Sequence, residues 1–217
     1  MEITWYGHSC FRLTERNMAT VVTDPFDNKS IGYTALKLKS DIVTVSHEAP
    51  GHNNIDAVKG VSHVIDGAGE FEIGGVFVTG VSSDGSGGKK KSKDSARNTI
   101  YVFDYEGITV AHLGDLKQIP TQSEIESLGT INVALVPVGG GGGFNAAKAA
   151  EVISLIEPNL VVPMHYSTPA AKISLDSLNK FLKEMGLSKV ESQPSLKVTR
   201  SSLPDETHVI VLDYQAS

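Results

Sequence analysis

Histidines and carboxylates gather where the short apolar runs of this chain end. The β-branched run at residues 42–45 leads into Ser46-His47-Glu-Ala-Pro-Gly-His52, residues 108–111 lead into His112-Leu-Gly-Asp115, and residues 160–162 lead into Pro-Met-His165. Imidazole brings a neutral nitrogen lone pair and carboxylate an anionic oxygen, the donors that divalent metal sites use. Pro50 and Gly51 break the first run, so His47 and His52 share a loop and are placed to share a metal. A metal held by such a set acts as a Lewis acid and makes water a nucleophile near neutral pH. Loops at the carboxyl ends of strands converge on one edge of a layered α/β protein, which would bring the three groups together.

That convergence needs a strand scaffold, and the pattern supplies one. Residues 2–13 mix aromatic and β-branched side chains and predict a strand pair broken at Gly7. Residues 20–23 predict a strand ending at Asp24-Pro25, residues 29–39 a loop, and residues 55–59 a helical turn. Short strands follow at 61–65, 70–73 and 76–81, then a pair at 99–103 and 108–112 joined by Tyr105-Glu106-Gly107. Residues 121–128 read as a short helix capped by Thr121 or Ser123. A fully apolar strand at 133–138 runs into the glycines 139–143. Asn145 then caps a helix at 146–156, whose Ala149, Val152, Ile153 and Ile156 fall on one face. Another strand at 160–163, a second amphipathic helix at 175–185 and strands at 196–199 and 208–212 complete the chain. Strands fill the first half and strand–helix alternation the second, so residues 1–217 are expected to form one α/β domain with at least two sheets.

Composition narrows the function. A length of 217 residues supports a full core, and 40% hydrophobic with 20% charged residues is ordinary for a globular protein. The net charge of −6 argues against nucleic-acid binding. No apolar run approaches a bilayer-crossing length, so no membrane role is expected. MEITWYGHSC lacks a basic stretch followed by an apolar one, so no signal peptide is visible. The single cysteine, Cys10, excludes an internal disulfide, fits a cytoplasmic protein and reads as a small buried hydrophobe. Residues 82–97 hold no large apolar side chain and read as a surface loop; its Lys89 to Lys93 cluster is either solvated charge or a contact for an anion. A small-molecule ligand and a homo-oligomer are both compatible with this composition.

The order of these features resembles the metallo-β-lactamase fold superfamily, in particular its single-domain branch similar to L-ascorbate-6-phosphate lactonase. The matching pieces are Trp5-Tyr-Gly-His8-Ser, Asp24-Pro-Phe, Ser46-His47 through His52-Asn, Ala111-His-Leu-Gly-Asp115, Val136-Pro-Val-Gly-Gly and Val162-Pro-Met-His165-Tyr. Each alone is weak; together, in family order over nearly the whole chain, they are specific. The resemblance implies an α/β fold, a four-layer αββα sandwich with the site between the edges of its two sheets. It also implies a hydrolase in which the motif H-x-H-x-D-H, a third histidine, a bridging aspartate and a final histidine hold two metals. His47 and His52 match the first and last histidines of that motif, Asp115 the bridging aspartate and His165 the final histidine. His8 falls by resemblance near the pocket, as a ligand contact or as a hydrogen-bonded support. Asp24 matches a position that supports the site by hydrogen bonding.

The departures are large. Ala49 stands where the motif has its second histidine and Gly51 where it has its aspartate, and Ser82-Ser83-Asp84 fill the stretch where the third histidine is sought. None of these replaces an imidazole, and alanine and glycine have no side-chain lone pair at all. The first metal site keeps His47 and the shared Asp115, fewer than the three protein ligands a catalytic zinc takes. The second keeps His52, Asp115 and His165, a set that can hold one divalent ion (zinc, manganese or iron) or none. Two readings follow. One is a protein with an incomplete site, impaired or non-catalytic; the other is a mononuclear hydrolase of a small ester, lactone or phosphorylated sugar-like substrate, with Asp115 as its catalytic carboxylate. Glu48 is a candidate stand-in for the missing aspartate or a solvent-facing carboxylate. His112 reads as a core histidine, His63 and His208 carry no motif, and the glycine run 139–143 is an anion cradle or a loop at the pocket rim.

Overall fold

Alternation along the first strands serves two cores at once. In β1 (Glu2–Gly7) Ile3 and Trp5 are buried while Glu2 and Thr4 stay partly exposed. β2 (Cys10–Thr14) and β3 (Val21–Thr23) send Phe11, Leu13 and Val21 to one side and Cys10 and Val22 to the other, and both sides are buried. The computed structural model describes residues 1–83 and 98–216, so the Lys-rich stretch singled out above, apart from Ser82 and Ser83, lies outside the described residues.

Residues 29–39, expected as loop, contain one helical turn, α1 (Asn28–Ile31), followed by β4 (Leu38–Lys39). The Asp27 carboxylate accepts from the Lys29 and Ser30 amides, and Gly32 ends the turn at φ 106°. Four residues are too few to show a helical period, which is why the pattern missed it. β5 (Ile42–Thr44) follows, then the 3₁₀ turn Ile55–Ala57, β6 (Val58–Lys59), β7 (His63–Ile65), β8 (Gly69–Ile73) and β9 (Val76–Ser83). After the undescribed stretch come β10 (Asn98–Asp104), β11 (Thr109–His112), α2 (Gln122–Leu128) and β12 (Val133–Pro137). Thr121 and Glu124 form a capping box at α2. Then α3 (Ala146–Ile156) runs to the predicted bounds with Asn145 as its cap, before β13 (Leu160–Met164) and α4 (Leu178–Glu184). The chain finishes with β14 (Ser192–Gln193), β15 (Leu196–Lys197), β16 (His208–Val209) and β17 (Val211–Leu212). The helix expected from residue 175 begins at Leu178, because the Asp176 backbone is bonded to Gly139 O and Ser167 N.

Two mixed sheets face each other. One has the order β15-β1-β2-β3-β5-β7 and the other β16-β13-β12-β11-β10-β9-β8. Between them lies the larger core, with Trp5, Phe11, Tyr101 and Phe103. On the outer face of the first sheet, α1 and the 3₁₀ region pack Phe26, Ile31, Tyr33 and Val58 on Cys10, Val22 and Val43. Over the second sheet α3 and α4 pack together, burying Ala149, Val152, Ile153, Phe181 and Leu182. This is the αββα sandwich. Strands β3 and β5 are parallel, as are β11, β12 and β13, so their carboxyl ends meet at one rim.

Polar contacts pin the sheets together near that rim. The buried Tyr101 hydroxyl lies 3.0 Å from both Val45 O and Ile65 O, and the Thr99 amide donates to Ser46 O at 2.9 Å. Tyr101→Phe is expected to cost about 1–2 kcal/mol, read from urea unfolding, because the one hydroxyl proton shared by these buried carbonyls is lost, although Ile65 O keeps the Val45 amide as a donor. A change within error would mean that those carbonyls find another partner.

Candidate metal centre

Six side chains reach the rim from five loops. Asp24 follows β3, His47 and His52 follow β5, Asp115 follows β11 and His165 follows β13, while His8 lies in the tight turn between β1 and β2. Three of them stand in left-handed backbone: His8 at φ 51°, Asp24 at 40° and His165 at 53°. Such conformations cost non-glycine residues on the order of 1–3 kcal/mol each and gather at functional sites. The surrounding bonds hold them. The His8 carbonyl accepts from the His165 amide at 3.0 Å and from Trp5 Nε1 at 3.1 Å, and the Asp24 amide donates to Thr44 O at 2.9 Å.

The imidazoles come together as a stack of rings. The His8 ring centroid is 4.2 Å from that of His165 and 4.8 Å from that of His52, and His52 is 5.7 Å from His165. The ligand atoms of these three residues all lie within 4.8 Å of one another. His8, His52 and His165 are buried, at 3%, 3% and 5% exposure, so any ion among them is shielded from bulk water. Behind His52 sits Asp24, fully buried, with Oδ2 2.7 Å from His52 Nδ1. Ser46 donates to the same carboxylate through its amide at 2.7 Å and its hydroxyl at 2.5 Å. The pairing fixes the His52 ring and leaves Nε2 to face the cluster, the outer support that metal-binding imidazoles commonly have.

Charge states suit ligation. Burial, reinforced by the neighbouring rings of His165, His52 and His47, holds the His8 pKa well below the ordinary histidine value. Burial also takes His165 down to about 4, against an opposing pull from Asp115. His47 falls to about 4 from burial and the nearby His52, with Asp24 and Asp115 opposing. For Asp24, burial pushes the pKa up, but His112, His52 and the hydrogen bonds from His52 and Ser46 outweigh it and set it at about 2. At neutral pH His8, His47 and His165 are thus neutral donors, and Asp24 is an anion.

The structure places the sequence-predicted residues unevenly. His52 and His165 are brought together. His47 lies 4.1 Å from the His52 ring, and its Nδ1 is 3.0 Å from Ser46 Oγ. Asp24, His47 and His52 form a second group within 4.8 Å, but hydrogen bonds already occupy the Asp24 carboxylate. Asp115 belongs to neither group among the described residues. Its amide is bonded to Asn98 Oδ1 at 2.9 Å, and its Oδ1 is buried without a hydrogen-bond partner. Gly143 makes room for that carboxylate, since a Cβ there would lie 2.0 Å from Oδ1. Positions 49 and 51 offer no side-chain donor, and the buried Ser83 pairs with Asn98 across β9 and β10. Glu48 is exposed and accepts from Asn53 Nδ2 at 2.6 Å, so it serves the loop and not the cluster. His112 is a satisfied core residue, with Nε2 2.9 Å from Ser9 O, and His63 and His208 are exposed on their strands. The glycine run packs at the rim, Gly139 against His165 O and Gly143 against Asp115. Sequence reasoning missed Ser46 and Asn98. Ser46 is flagged only by preceding His47, and Asn98, which also donates to Leu113 O at 3.0 Å, has no motif around it.

Comparison with known proteins decides the family. A profile described as the beta-lactamase superfamily domain matches residues 2–165. The chain belongs to the beta-lactamase superfamily. A Thermotoga maritima crystal structure, provisionally described as a Zn-dependent hydrolase of the metallo-beta-lactamase superfamily, superposes with a TM-score of 0.77 at 35% identity, covering 97% of each chain. A UPF0173 metal-dependent hydrolase of Methanoculleus marisnigri is 29% identical over 202 residues, 83% of this chain and 88% of that one. Igni18, a metallo hydrolase of Ignicoccus hospitalis, shares the fold at TM-score 0.66 and 21% identity, over 91% of this chain and 99% of its own. In this superfamily member the metal-ligating set is incomplete but partly retained. What is retained fits a single divalent cation: in the group whose ligand atoms lie within 4.8 Å, His8 Nδ1 and His165 Nδ1 are buried without a hydrogen-bond partner. Buried polar atoms left without partners are costly, and a cation would satisfy such lone pairs. No helix among the described residues is long and apolar enough to cross a membrane.

Proposed function

We propose that this chain is a metallo-β-lactamase-fold protein that holds one divalent ion, zinc, manganese or iron, and has lost the two-metal hydrolytic centre. One observation carries the reading. Ala49 and Gly51 supply neither the second histidine nor the aspartate of the motif and Ser83 is no imidazole, while His52 and His165 converge in a buried group with unpartnered polar atoms. A divalent ion there would polarise a carbonyl or phosphoryl oxygen. The chain's own part is to hold neutral imidazoles in place, with Asp24 and Ser46 fixing the His52 ring. The profile match and the 97% coverage of the Thermotoga chain support reading residues 1–217 as one domain. The lone buried Cys10 fits a reducing cytoplasm.

Asp115 favours a second reading, a mononuclear hydrolase of a small ester, lactone or phosphorylated sugar-like substrate in the manner of the lactonase branch. Its buried, unpartnered Oδ1 is a group able to take a proton from attacking water. Elemental analysis of protein purified without chelator and then dialysed against each metal is expected to find a single ion per chain, lost in His165→Ala. A wild-type chain that retains none of the three metals would sink both readings. Esterase, lactonase or phosphodiesterase turnover that disappears in His165→Ala would select the second; no turnover above that variant is the result expected of the first.

A further inference from the structure

We propose that His8 is itself a metal ligand, so that the ion sits in a three-imidazole site of His8, His52 and His165. This rests on the reading that the chain binds one divalent ion, and it changes which residues hold it. The key is Gly51. A Cβ at that position would lie 2.6 Å from His8 Nε2 and 3.1 Å from His8 Cδ2, so the His8 ring stands where a side chain at 51 would have to go. The ring thus blocks the point from which any side chain at 51, the carboxylate of the H-x-H-x-D-H pattern included, would start. The empty position is not a hole. An imidazole from 43 positions earlier in the chain lies against it.

Four further observations agree. The ligand atoms of the three histidines lie within 4.8 Å of one another, a group that Asp115 does not join. His8 and His165 both hold left-handed backbone, and the bond from the His165 amide to the His8 carbonyl locks the two turns side by side. Their Nδ1 atoms are buried without hydrogen-bond partners, whereas an ordinary structural histidine such as His112 has a partner at each nitrogen. His52 Nδ1 is already tied to Asp24, which leaves its Nε2 as the donor. Three neutral imidazoles suit zinc or cobalt better than manganese, which favours carboxylate and carbonyl oxygen. The site is therefore expected to prefer zinc and cobalt over manganese, unlike a set built on His52, Asp115 and His165.

The test uses cobalt as the probe on chelator-stripped full-length protein. Affinity is followed by calorimetry and the visible spectrum for wild type, His8→Asn and Asp115→Asn. Asparagine tolerates the left-handed backbone at position 8, so that variant keeps the turn while removing the imidazole. His8→Asn is expected to weaken cobalt binding by more than about tenfold and to change the visible spectrum, with Asp115→Asn weakening it less. Should either variant unfold, proton NMR of the wild-type cobalt form still decides the matter, because ligating imidazole N–H signals are shifted by the ion and can be counted. Three such histidines are expected, and two would overturn the assignment. Wild-type binding unaffected in His8→Asn would also overturn it, with the one-ion reading intact. Failure of the wild type to bind cobalt, zinc or manganese would overturn both.

Discussion

Aspartate introduced at position 51 is expected to destabilise the chain by about 1–3 kcal/mol instead of repairing its motif. A reading of the motif alone points the other way, since the change restores the missing carboxylate of H-x-H-x-D-H. The geometry decides against it. The new Cβ would lie 2.6 Å from His8 Nε2 and 3.0 Å from Ile31 Cδ1, with the carboxylate still to be placed beyond. His8 cannot simply swing aside, because its carbonyl is bound to the His165 amide and to Trp5 Nε1 and its ring is packed against His52 and His165. Adding His8→Gly should remove the clash, and glycine also suits φ 51°. The double variant should therefore be more stable than Gly51→Asp alone, a coupling measurable in a double-mutant cycle by urea unfolding. A Gly51→Asp variant as stable as wild type and carrying a second equivalent of zinc would refute the account of His8.

Metal-stripped protein is expected to lose several kcal/mol of stability as the pH falls from about 6.5 to about 4. The direction follows from the buried imidazoles. His8, His47, His112 and His165 all have folded-state pKa values below the ordinary histidine value, with burial the largest cause in each. The unfolded chain then binds more protons than the folded one between the two pKa values, so stability is full above the unfolded value and drains away below it. For His165, with a folded value of about 4, the loss by the lower end of that window is about 3 kcal/mol. His47 also falls to about 4 but is only partly buried, so its share is smaller. These neighbours repel one another when charged, so their contributions do not add. Asp24 does not offset the loss. Its pKa of about 2 keeps it ionised through the window, and its own contribution fades only as the pH falls from near 4 toward 2. Urea midpoints measured in chelator at pH 7.5, 6 and 4.5 test this, and a flat profile would mean that the cluster is solvated. Saturating zinc should raise the stability, because ion and protons compete for the same nitrogens.

Much of this protein was legible in the chain itself. The apolar run ending at His165, the Asn145 cap with Ala149, Val152 and Ile153 on one face, and the alternation in residues 2–13 are local patterns, and each became the element expected. The vacancies at Ala49 and Gly51 were equally visible, because a residue without a lone pair is no ligand in any fold. The misses were local too: a four-residue helix is shorter than its own signal, and the start of α4 was set by Asp176 bonding elsewhere.

What only the tertiary structure decided is who stands next to whom. Asp24 and His52 are 28 residues apart and share a hydrogen bond; His8 and His165 are far more distant and touch ring to ring. Sequence periods report which face a residue takes within its own element, whereas the meeting of loops depends on how two sheets are ordered and how their parallel strands end at one rim. That is why the chain alone showed a damaged metal motif at Gly51. The packed molecule shows the space beside that glycine filled by an imidazole.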